Sequence, residues 1–230
     1  MARSSRSAEP ARLGRDRIVR AAVELADAEG FDGLSMRRLA EELGAAPMAL
    51  YRHVANKDDL LDGMIDVVFG ELGVPATGSW RAAMRERNAE MRQALLRHPW
   101  AVGRMEGGTP GPESFRHHNA TMACLRERAG LPFATAVHAY SVMDSYVYGF
   151  ALQETTLPFR DSDEAVAEGA RRQRAAESVM TPEQFAAAYP FLVDIAKRLA
   201  ESPYDYDAEF SFGLELILDG IERLRRAKTR

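Results

Sequence analysis

The strongest constraint on the fold is the stretch "LSMRRLAEELGAAPMALYRHVANKDDLL", which begins at Leu34 and ends at Leu61. Its apolar residues recur three and four positions apart, as they do on one face of a helix. Ser35 suits the N-cap of a helix that Gly44 can end in a left-handed conformation. Pro47 then suits the first turn of a second helix. The stretch therefore predicts two short helices joined by a turn.

The second of these helices is predicted to end near His53, after barely two turns. Two short helices joined by a turn that contains glycine form a helix-turn-helix. In a DNA-binding protein of this type, one helix crosses the phosphate backbone and the other lies in the major groove. A corner between two helices of an ordinary bundle has the same spacing, so spacing alone leaves both interpretations open.

Helical periodicity covers most of the chain, and no segment alternates with period two between turn residues, so the chain is predicted to be all-α. Glycine and proline at 73, 75 and 78 predict a domain boundary. The predicted parts are a disordered basic arm at residues 1–14, a three-helix helix-turn-helix domain at 15–73, and a larger helical domain at 79–230. Residues 156–180 are polar and weakly periodic, which predicts a loop with some helix.

Other predicted helices share apolar positions at helical spacing, and several have capping residues at their ends. They cover residues 15–29, from 57 onward, 79–97, 113–129, 132–154, from 181 onward, 191–201 and 207–226.

The charge of the chain is unevenly distributed. The formal net charge is −4, but residues 1–20 hold six arginines and two acidic residues. Cys124 is the single cysteine, so no internal disulfide can form. No long apolar run or signal peptide is recognisable, and we therefore expect a cytoplasmic protein that does not enter a membrane.

The chain resembles the TetR (tetracycline-repressor) family of bacterial transcription regulators. The resemblance rests on "AAVELADAEGFDGLS", "LSMRRLAEELG" and "LYRHVANKDDLL" in the first part of the chain. In the second part, "SWRAAMRERNAEMRQALLRHP" and "FGLELILDGIERL" resemble the ligand-binding and dimerisation domain of the tetracycline-repressor subclass. The resemblance implies a homodimer that binds double-stranded operator DNA, responds to a small-molecule inducer and needs no cofactor.

Carried over residue by residue, the resemblance predicts a set of DNA contacts on and around the helix pair. These residues are Ser35, Arg37, Ala46, Pro47, Met48, Tyr51, Arg52, His53 and Lys57. The "AAPMA" run has almost no side chain that can hydrogen-bond to a base edge. Specificity is therefore expected to depend on Arg37, Arg52, thymine-methyl contacts and DNA shape.

Several of these assignments have alternatives. Tyr51 can lie partly in the core, and Arg52 can be a solvated charge as well as a base reader. The arginines of the arm can reach a minor groove or remain in solvent. By contrast, Leu39, Ala40, Leu43 and Leu50 are expected to be packing residues.

Aromatic, sulfur-containing and polar side chains between the boundary and the last helices suggest an apolar cavity with a few orienting hydrogen bonds. The resemblance implies that this is an inducer site, although such stripes also occur in ordinary cores. The candidate residues are Arg87, Met91, Trp100, Met105, Thr109, Phe115, His118, Thr121, Met122, Tyr140, Met143, Asp144 and Gln153.

The candidate inducer differs from that of the tetracycline repressor. By alignment, positions at which that repressor holds polar drug and metal contacts fall on Arg87, Met105, Thr121 and Gln153, and only Thr109 keeps its type. This departure disfavours tetracycline with magnesium. A larger, flatter or more lipophilic compound, such as an aromatic natural product or drug, fits the composition better.

A metal site at His117 and His118 is not expected. Adjacent helical residues point about 100° apart, so the two imidazoles cannot chelate together. Glu113, one turn back, would give His117 only one further ligand. Neutral histidines near the mouth of a pocket are the favoured interpretation.

The dimer surface is expected to be an apolar helix face that one chain cannot bury alone. The residues assigned to it are Phe191, Ile195, Leu199, Phe210, Leu214, Ile217, Leu218 and Ile221. Ordinary packing within one chain is the alternative.

No nucleophile elbow, phosphate-binding loop or metal-chelating cluster occurs in the sequence, so we do not expect an enzyme. The main prediction is a ligand-responsive repressor that binds a palindromic operator as a homodimer. The alternative is a helical small-molecule-binding protein without sequence-specific DNA binding, which the apolar second helix favours.

Overall fold

A computed structural model describes residues 13–73, 78–105, 107–156, 167–169, 171, 174–175, 180–201 and 205–227. Among these residues only helices, turns and irregular segments occur, so the all-α prediction is confirmed. The predicted arm at 1–14 lies almost entirely outside the described residues, as does most of the predicted loop at 156–180. Over the same ranges, no helix combines the length and apolarity needed to cross a bilayer.

The α-helices agree closely with the predicted segments. They are α1 (Arg15–Glu29), α2 (Met36–Glu42), α3 (Pro47–Leu50), α4 (Lys57–Gly70), α5 (Trp80–Arg97), α6 (Pro112–Ala123), α7 (Phe133–Thr156), α8 (Pro182–Ala188), α9 (Pro190–Glu201) and α10 (Tyr206–Ala227). Short 3-10 turns and one π-helical turn lie between them at Phe31–Gly33, Pro99–Ala101 and Cys124–Arg128.

The helix ends follow local signals in the sequence. The side chains of Ser35, Asn56, Ser79 and Thr181 each accept a hydrogen bond from the backbone N–H three residues later. These bonds satisfy donors that the first turn of a helix leaves unpaired. Gly44, after α2, has a φ of 62°, the left-handed conformation predicted for it.

The helix α3 is shorter than predicted, because it ends at Leu50 and residues 51–53 form a turn. The backbone N–H groups of His53 and Val54 both bond to the Leu50 carbonyl, at 2.9 and 3.0 Å. Such shared bonds are common where a helix ends. Val54 is buried, so the chain turns inward there instead of continuing the helix.

The described residues up to Tyr148 form one compact unit, and those from Gly149 onward form another. In the first unit α1 contacts α4, and their N-terminal ends are joined by an ion pair of 2.7 Å between Arg15 and Asp59. The hydrogen bond from Arg15 lowers the pKa of Asp59. This framework holds the helix pair α2 and α3.

The same unit joins α4 to α6. The Asp66 carboxylate accepts hydrogen bonds from the backbone N–H and the hydroxyl of Ser114, at 2.8 and 3.0 Å. A Cβ atom at Gly111, which precedes α6, would collide with this carboxylate. Glycine therefore permits this close approach without a shift of the Asp66 side chain. The predicted domain boundary at residues 73–79 lies within this compact unit. The division of the chain into a DNA-binding part and a ligand-binding part at this boundary stays a prediction.

In the second unit the last helix has both buried and exposed apolar residues. Phe210, Leu214, Leu218 and Ile221 of α10 are buried, and the Phe150 ring lies 5.2 Å from the Phe210 ring. Exposed apolar residues of this unit are Leu152, Tyr189, Phe191, Leu192, Ile195, Phe212, Leu216 and Leu224.

Candidate functional site

The candidate DNA-facing surface is formed by α2, α3 and the start of α4. All the residues predicted to contact DNA are exposed, namely Ser35, Arg37, Ala46, Pro47, Met48, Tyr51, Arg52, His53 and Lys57. Met48 is 73% exposed although it is a large apolar residue. Tyr51 is 44% exposed, which fits the expected partial packing. The helix pair therefore presents an almost continuous solvent-facing surface.

Buried residues fix the orientation of this surface. Leu39 and Ala40 of α2 and Leu50 of α3 are essentially inaccessible, as predicted, whereas Leu43, after the end of α2, is only half-buried. They turn the other faces of the two helices outward. Ser35 also has a structural role, because its hydroxyl caps α2.

Two neighbouring arginines on α2 have different surroundings. Arg38 is held by Glu29 at 2.7 Å and by Glu42 at 3.0 Å, and these hydrogen bonds raise its pKa. Arg37 is 85% exposed and lies 3.9 Å from Glu41, at the limit of an ion pair. An exposed contact of this length contributes little. Arg37 is therefore the arginine that can reorient towards a base.

Lys57 lies beside the aromatic ring of Phe31, which Arg104, from the segment between α5 and α6, also contacts. Its ammonium lies 4.5 Å from the centroid of the Phe31 ring, and the Arg104 guanidinium lies 4.3 Å from the same centroid. Cations are attracted to the face of an aromatic ring. Neither Phe31 nor Arg104 was predicted to have a role. Phe31 appeared only within "AAVELADAEGFDGLS", one of the stretches that carry the family resemblance.

A second connection is built around Asp27 of α1. Its Oδ1 atom accepts a hydrogen bond from Trp100 Nε1 at 2.6 Å and lies 2.8 Å from His98 Nδ1. The other ring nitrogen of His98 lies 3.0 Å from Glu71 Oε1, next to the end of α4. The buried Trp100 was predicted to contact ligand, and here its indole binds α1.

The candidate effector site centres on Arg87, whose side chain is inaccessible to solvent. Its Nη1 atom lies 2.6 Å from Asp144 Oδ1, and its Nε atom donates to His117 Nε2 at 3.1 Å. The guanidinium lies 5.1 Å from the centroid of the Tyr140 ring. Burial lowers the pKa of Arg87, but the charge of Asp144 outweighs this effect and the net pKa is raised. The arginine is a buried cation paired with a carboxylate.

His117 is a neutral member of this cluster. It is fully buried, and burial, followed by the nearby charge of Arg87, lowers its pKa to about 3. Because Nε2 accepts a hydrogen bond from Arg87, the ring proton must lie on Nδ1. The neutral state matches the prediction, but the residue is in the interior and not at a pocket mouth.

The dependence of stability on pH provides a test of the buried, neutral state of His117. The folded pKa of about 3 lies below the ordinary value of 6.5, so between these values the unfolded chain binds a proton that the folded chain does not. The free energy of unfolding should fall by up to about 1.4 kcal/mol per pH unit below pH 6.5. Urea denaturation of the His117→Phe variant from pH 4 to 6.5 should show a flatter dependence.

The exposed His138 of α7 provides the control for this experiment. The His138→Phe variant should keep the pH dependence of the unaltered protein. An unchanged slope in the His117→Phe variant would contradict the assignment.

Other predicted effector residues fall into several locations. Met91, Thr121 and Met143 are buried, and the Thr121 hydroxyl donates to the His117 carbonyl at 2.9 Å. Met143 Sδ lies 3.5 Å from the side-chain amide of Asn88. Three further predicted residues are exposed or half-buried, namely Phe115, Met122 and Gln153. Gln153 belongs to the second unit.

A narrow cleft lies between α4 and the start of α6. Three of its lining residues were predicted, namely Met105, Thr109 and His118. Its other lining residues were not predicted, and they are Asp62, Ile65, Phe69, Gly108, Pro110 and Ser114. Ile65 and Phe69 are apolar residues of α4, but only the fold brings α4 against α6.

Aromatic rings connect the cleft to the buried cluster. The Phe69 ring lies 5.5 Å from the ring of His117 and 5.1 Å from that of His118. The His118 ring lies 5.7 Å from that of Tyr140, whose hydroxyl is 3.2 Å from His118 Nδ1. In the part of the chain that the structure describes, no three His, Cys, Asp or Glu side chains are placed to hold a metal ion.

Most of the predicted dimerisation residues on α10 are buried within the chain, whereas Phe191 and Ile195 on α9 are exposed. Ile217 is half-buried. The side chain of Leu199 lies outside the described residues.

Comparison with known proteins identifies both parts of the chain. Residues 18–64 match the family described as bacterial regulatory proteins, tetR family. Residues 72–225 match the family described as tetracyclin repressor-like, C-terminal domain.

Individual relatives agree with this result. The chain is 35% identical to the HTH-type transcriptional repressor DrrR1 of Streptomyces coeruleorubidus, over 96% of this chain and 82% of the relative. It is 33% identical to the class A tetracycline repressor from transposon 1721 of Escherichia coli, over 90% of each chain.

A solved structure with a similar fold is ActR, a TetR family protein of Streptomyces coelicolor, in complex with actinorhodin. The TM-score is 0.75 at 34% identity, with coverage of 92% of this chain and 96% of ActR. Together, the exposed helix pair, the matches over both parts and the similarity to complete relatives show that this chain belongs to the TetR family of transcription regulators, with a C-terminal domain of the tetracycline-repressor type.

Proposed function

We propose that the chain is a transcriptional repressor that binds a palindromic operator as a homodimer and is released by a lipophilic, aromatic effector. The observation that carries this proposal is the combination of an exposed helix pair with a buried polar cluster in the same compact unit. The sequence similarity to DrrR1, which is named a repressor, supports repression. The actinorhodin complex of the similar ActR supports an organic effector.

The operator would be read through few direct contacts. At the start of α3, the exposed Ala46 and Met48 offer contacts to thymine methyl groups, whereas the side chains of Ala46 and Pro47 cannot hydrogen-bond to a base. Arg37 is the candidate reader of a guanine, and Lys57 is the candidate partner of a phosphate. We therefore expect a large contribution of DNA shape to specificity.

A dimer would compensate for the small reading surface of one chain. A helix-turn-helix dimer contacts two half-sites about one helical turn apart, which doubles the sequence that is read. We assign the partner surface to the exposed apolar residues Phe191 and Ile195 on α9, and Phe212 and Leu216 on α10. Large exposed apolar patches indicate association. The buried residues of α10 would support this surface from behind.

Phe212→Glu should weaken the dimer by at least about 100-fold, because a carboxylate buried without a partner costs several kcal/mol. Phe212 is 67% exposed in the single chain, so the monomer should stay folded. Sedimentation equilibrium would measure the dissociation constant. The exposed neighbour Ser211 gives a charge-matched control, Ser211→Glu, which should remain dimeric. A Phe212→Glu dimer of unchanged affinity would place the interface elsewhere.

Release from DNA is proposed to be a shift between two conformations. Two sets of contacts connect α1 and α4, which hold the helix pair, to the effector-side segments: Asp66 with Ser114, and Asp27 with His98. An effector that favours a conformation with wrongly spaced reading helices lowers DNA affinity, and DNA lowers effector affinity by the same factor. Couplings of this kind are typically about 5- to 150-fold.

A fluorescence-anisotropy titration against the DNA upstream of its own gene, at two salt concentrations and beside random DNA, tests this function. We expect tight binding to the upstream DNA alone, weakened by salt. Actinorhodin would be the first effector tested, with tetracycline and magnesium as the comparison. Equal, weak binding to both DNAs would overturn the repressor proposal and favour the alternative of a small-molecule-binding protein without operator recognition.

A further inference from the structure

The ring of Phe31 carries two cations from distant parts of the chain. Phe31 follows Gly30, the glycine with a φ of 78° that ends α1, and it is half-buried. The Lys57 ammonium lies 4.5 Å from the ring centroid, and the Arg104 guanidinium carbon lies 4.3 Å from it. The attraction between a cation and an aromatic face is stronger where water is partly excluded. One side chain therefore contacts both the start of α4 and the segment between α5 and α6.

The two cations at this ring have no carboxylate partner. Over the residues that the structure describes, neither Lys57 nor Arg104 forms an ion pair. Like charges gathered at one ring repel each other, so a negative group beside them would lower the energy of the arrangement. Lys57 is exposed on the surface predicted to face DNA, and it begins a helix, where backbone N–H groups also favour an anion. The arrangement therefore fits a DNA phosphate at Lys57.

Contact with the ring would prepare Lys57 for this phosphate. A lysine side chain is long and flexible, and it loses rotamer freedom when it is fixed at one phosphate. The ring restricts the ammonium before DNA arrives, and preorganisation of this kind lowers the cost of binding. Because the attraction to the ring face is electrostatic, N–H donors of the ammonium remain available for phosphate oxygens. The ring contact should therefore strengthen a phosphate contact and not compete with it.

Arg104 is anchored to a buried part of the chain. Its Nη1 atom donates a hydrogen bond to the Trp100 carbonyl at 2.8 Å. Trp100 is buried, and its indole donates to Asp27 at 2.6 Å. A pocket of about 340 Å³ borders Phe31 and Arg104, so packing against other side chains does not fix the ring on that side. The position of the ring therefore depends on Arg104.

We propose that Phe31 is a positioning residue for DNA binding: its ring holds the Lys57 ammonium in place for a DNA phosphate, and Arg104 holds the ring. This inference rests on the proposed function, in which Lys57 contacts a phosphate, and it adds two residues that act through Lys57 without touching DNA. Because phosphate contacts do not depend on base sequence, the effect should appear on random DNA as well as on the operator.

A double-mutant cycle on DNA affinity tests the role of Phe31. Phe31→Leu removes the aromatic face and should lower the affinity about two- to fivefold for each half-site, or about 5- to 30-fold for the homodimer. Phe31→Tyr restores a ring and should stay within about twofold of the unaltered protein. In a Lys57→Ala background, Phe31→Leu should have almost no further effect. An equal loss in both backgrounds would mean that Phe31 only supports the fold, and would overturn the proposal.

Arg104→Met tests the second positioning residue. It should weaken DNA binding in the same direction as Phe31→Leu, and again only when Lys57 is present. In the Lys57→Ala background, the slope of log affinity against log salt should stay unchanged, because this slope counts phosphate contacts. A fall in that slope would make Arg104 a phosphate contact and contradict its positioning role. Arg126→Met is the control and should leave DNA affinity unchanged, because Arg126 also donates to a backbone carbonyl but belongs to the π-helical turn after α6.

NMR of lysine-labelled protein detects the ring contact without DNA. The chain has three lysines, Lys57, Lys197 and Lys228, so the ε-methylene signals are few and can be assigned by substitution. Protons above an aromatic face are shifted upfield, so the Lys57 signal should lie upfield of the other two and lose this shift in Phe31→Leu. A Lys57 signal without this shift would overturn the ring contact.

The same measurements separate this proposal from the proposed function. If the ring contact and the cycle on random DNA are as expected but the operator is not preferred, the positioning role stands and the repressor proposal fails. Operator binding that does not depend on Phe31 would contradict the positioning role alone. Absence of binding to any DNA at low salt would overturn both.

Discussion

Arg37→Ala should lower the affinity for the operator by at least about 30-fold. One bidentate contact between arginine and guanine is worth about 1–3 kcal/mol, and a dimer would lose two of them. Arg37 is 85% exposed with one long contact to Glu41, so its loss should not change the folded structure. Anisotropy titrations against the operator and against operators changed at single base pairs would measure the effect. Discrimination should relax at one position of each half-site.

Lys57→Ala separates a phosphate contact from a base contact. It should weaken binding about equally on all DNA sequences and reduce the slope of log affinity against log salt by about 0.9 for each half-site. Because the ammonium lies over the Phe31 ring, a small loss of stability, about 0.5–1 kcal/mol, accompanies this change.

Lys197→Ala is the control for both variants, since it removes an exposed cation of α9, outside the helix pair. It should leave affinity and specificity almost unchanged. If Arg37→Ala weakened binding to operator and random DNA equally, Arg37 would be a phosphate contact and not a reader of bases.

The sequence predicted most helix ends and the exposure of the helix pair because their signals are local. A capping side chain such as Ser35 or Asn56 acts on a backbone group three residues away. The apolar spacing of α2 similarly determines which face is buried. Such features need no knowledge of the rest of the chain, and they were recognised from a few adjacent residues.

The buried polar contacts could not be predicted in the same way. Arg87 and Asp144 were both candidates for ligand contact, but their pairing joins α5 to α7 across 57 residues. His98 connects Asp27 with Glu71, and neither partner is near it in the sequence. Composition does not reveal which distant carboxylate a basic residue meets, because this depends on how the helices assemble.

The apolar residues of α10 show a further limit. Phe210, Leu214, Leu218 and Ile221 recur at helical spacing, which identified an apolar face but not its partner. The structure places this face within the chain and leaves Phe212 and Leu216 exposed on the same helix. Periodicity alone does not distinguish a core face from an association surface when a helix has apolar residues on both.

Asp144→Ala should lower the free energy of unfolding by about 3–5 kcal/mol, because it leaves the Arg87 cation buried without a counter-charge. At fixed protein concentration, this change corresponds to a decrease in Tm of roughly 6–20 °C. The exposed pair of Arg116 and Glu113 has the same separation, 2.6 Å, and provides the control. Glu113→Ala should cost no more than about 1 kcal/mol, since solvent screens that pair. A small effect of Asp144→Ala would mean that water reaches Arg87.

Replacing both members of the buried pair should have a very different effect. Arg87→Met combined with Asp144→Leu removes both desolvated charges, and such replacements are often neutral or stabilising by about 1–4 kcal/mol. Because His117 Nε2 then loses its donor, we expect a stability close to that of the unaltered protein in urea denaturation. The same variant should no longer respond to the effector. A double variant as unstable as Asp144→Ala would show that the pair is needed for the stability of the fold. A double variant that is stable but does not respond to the effector would assign the buried charges to effector binding.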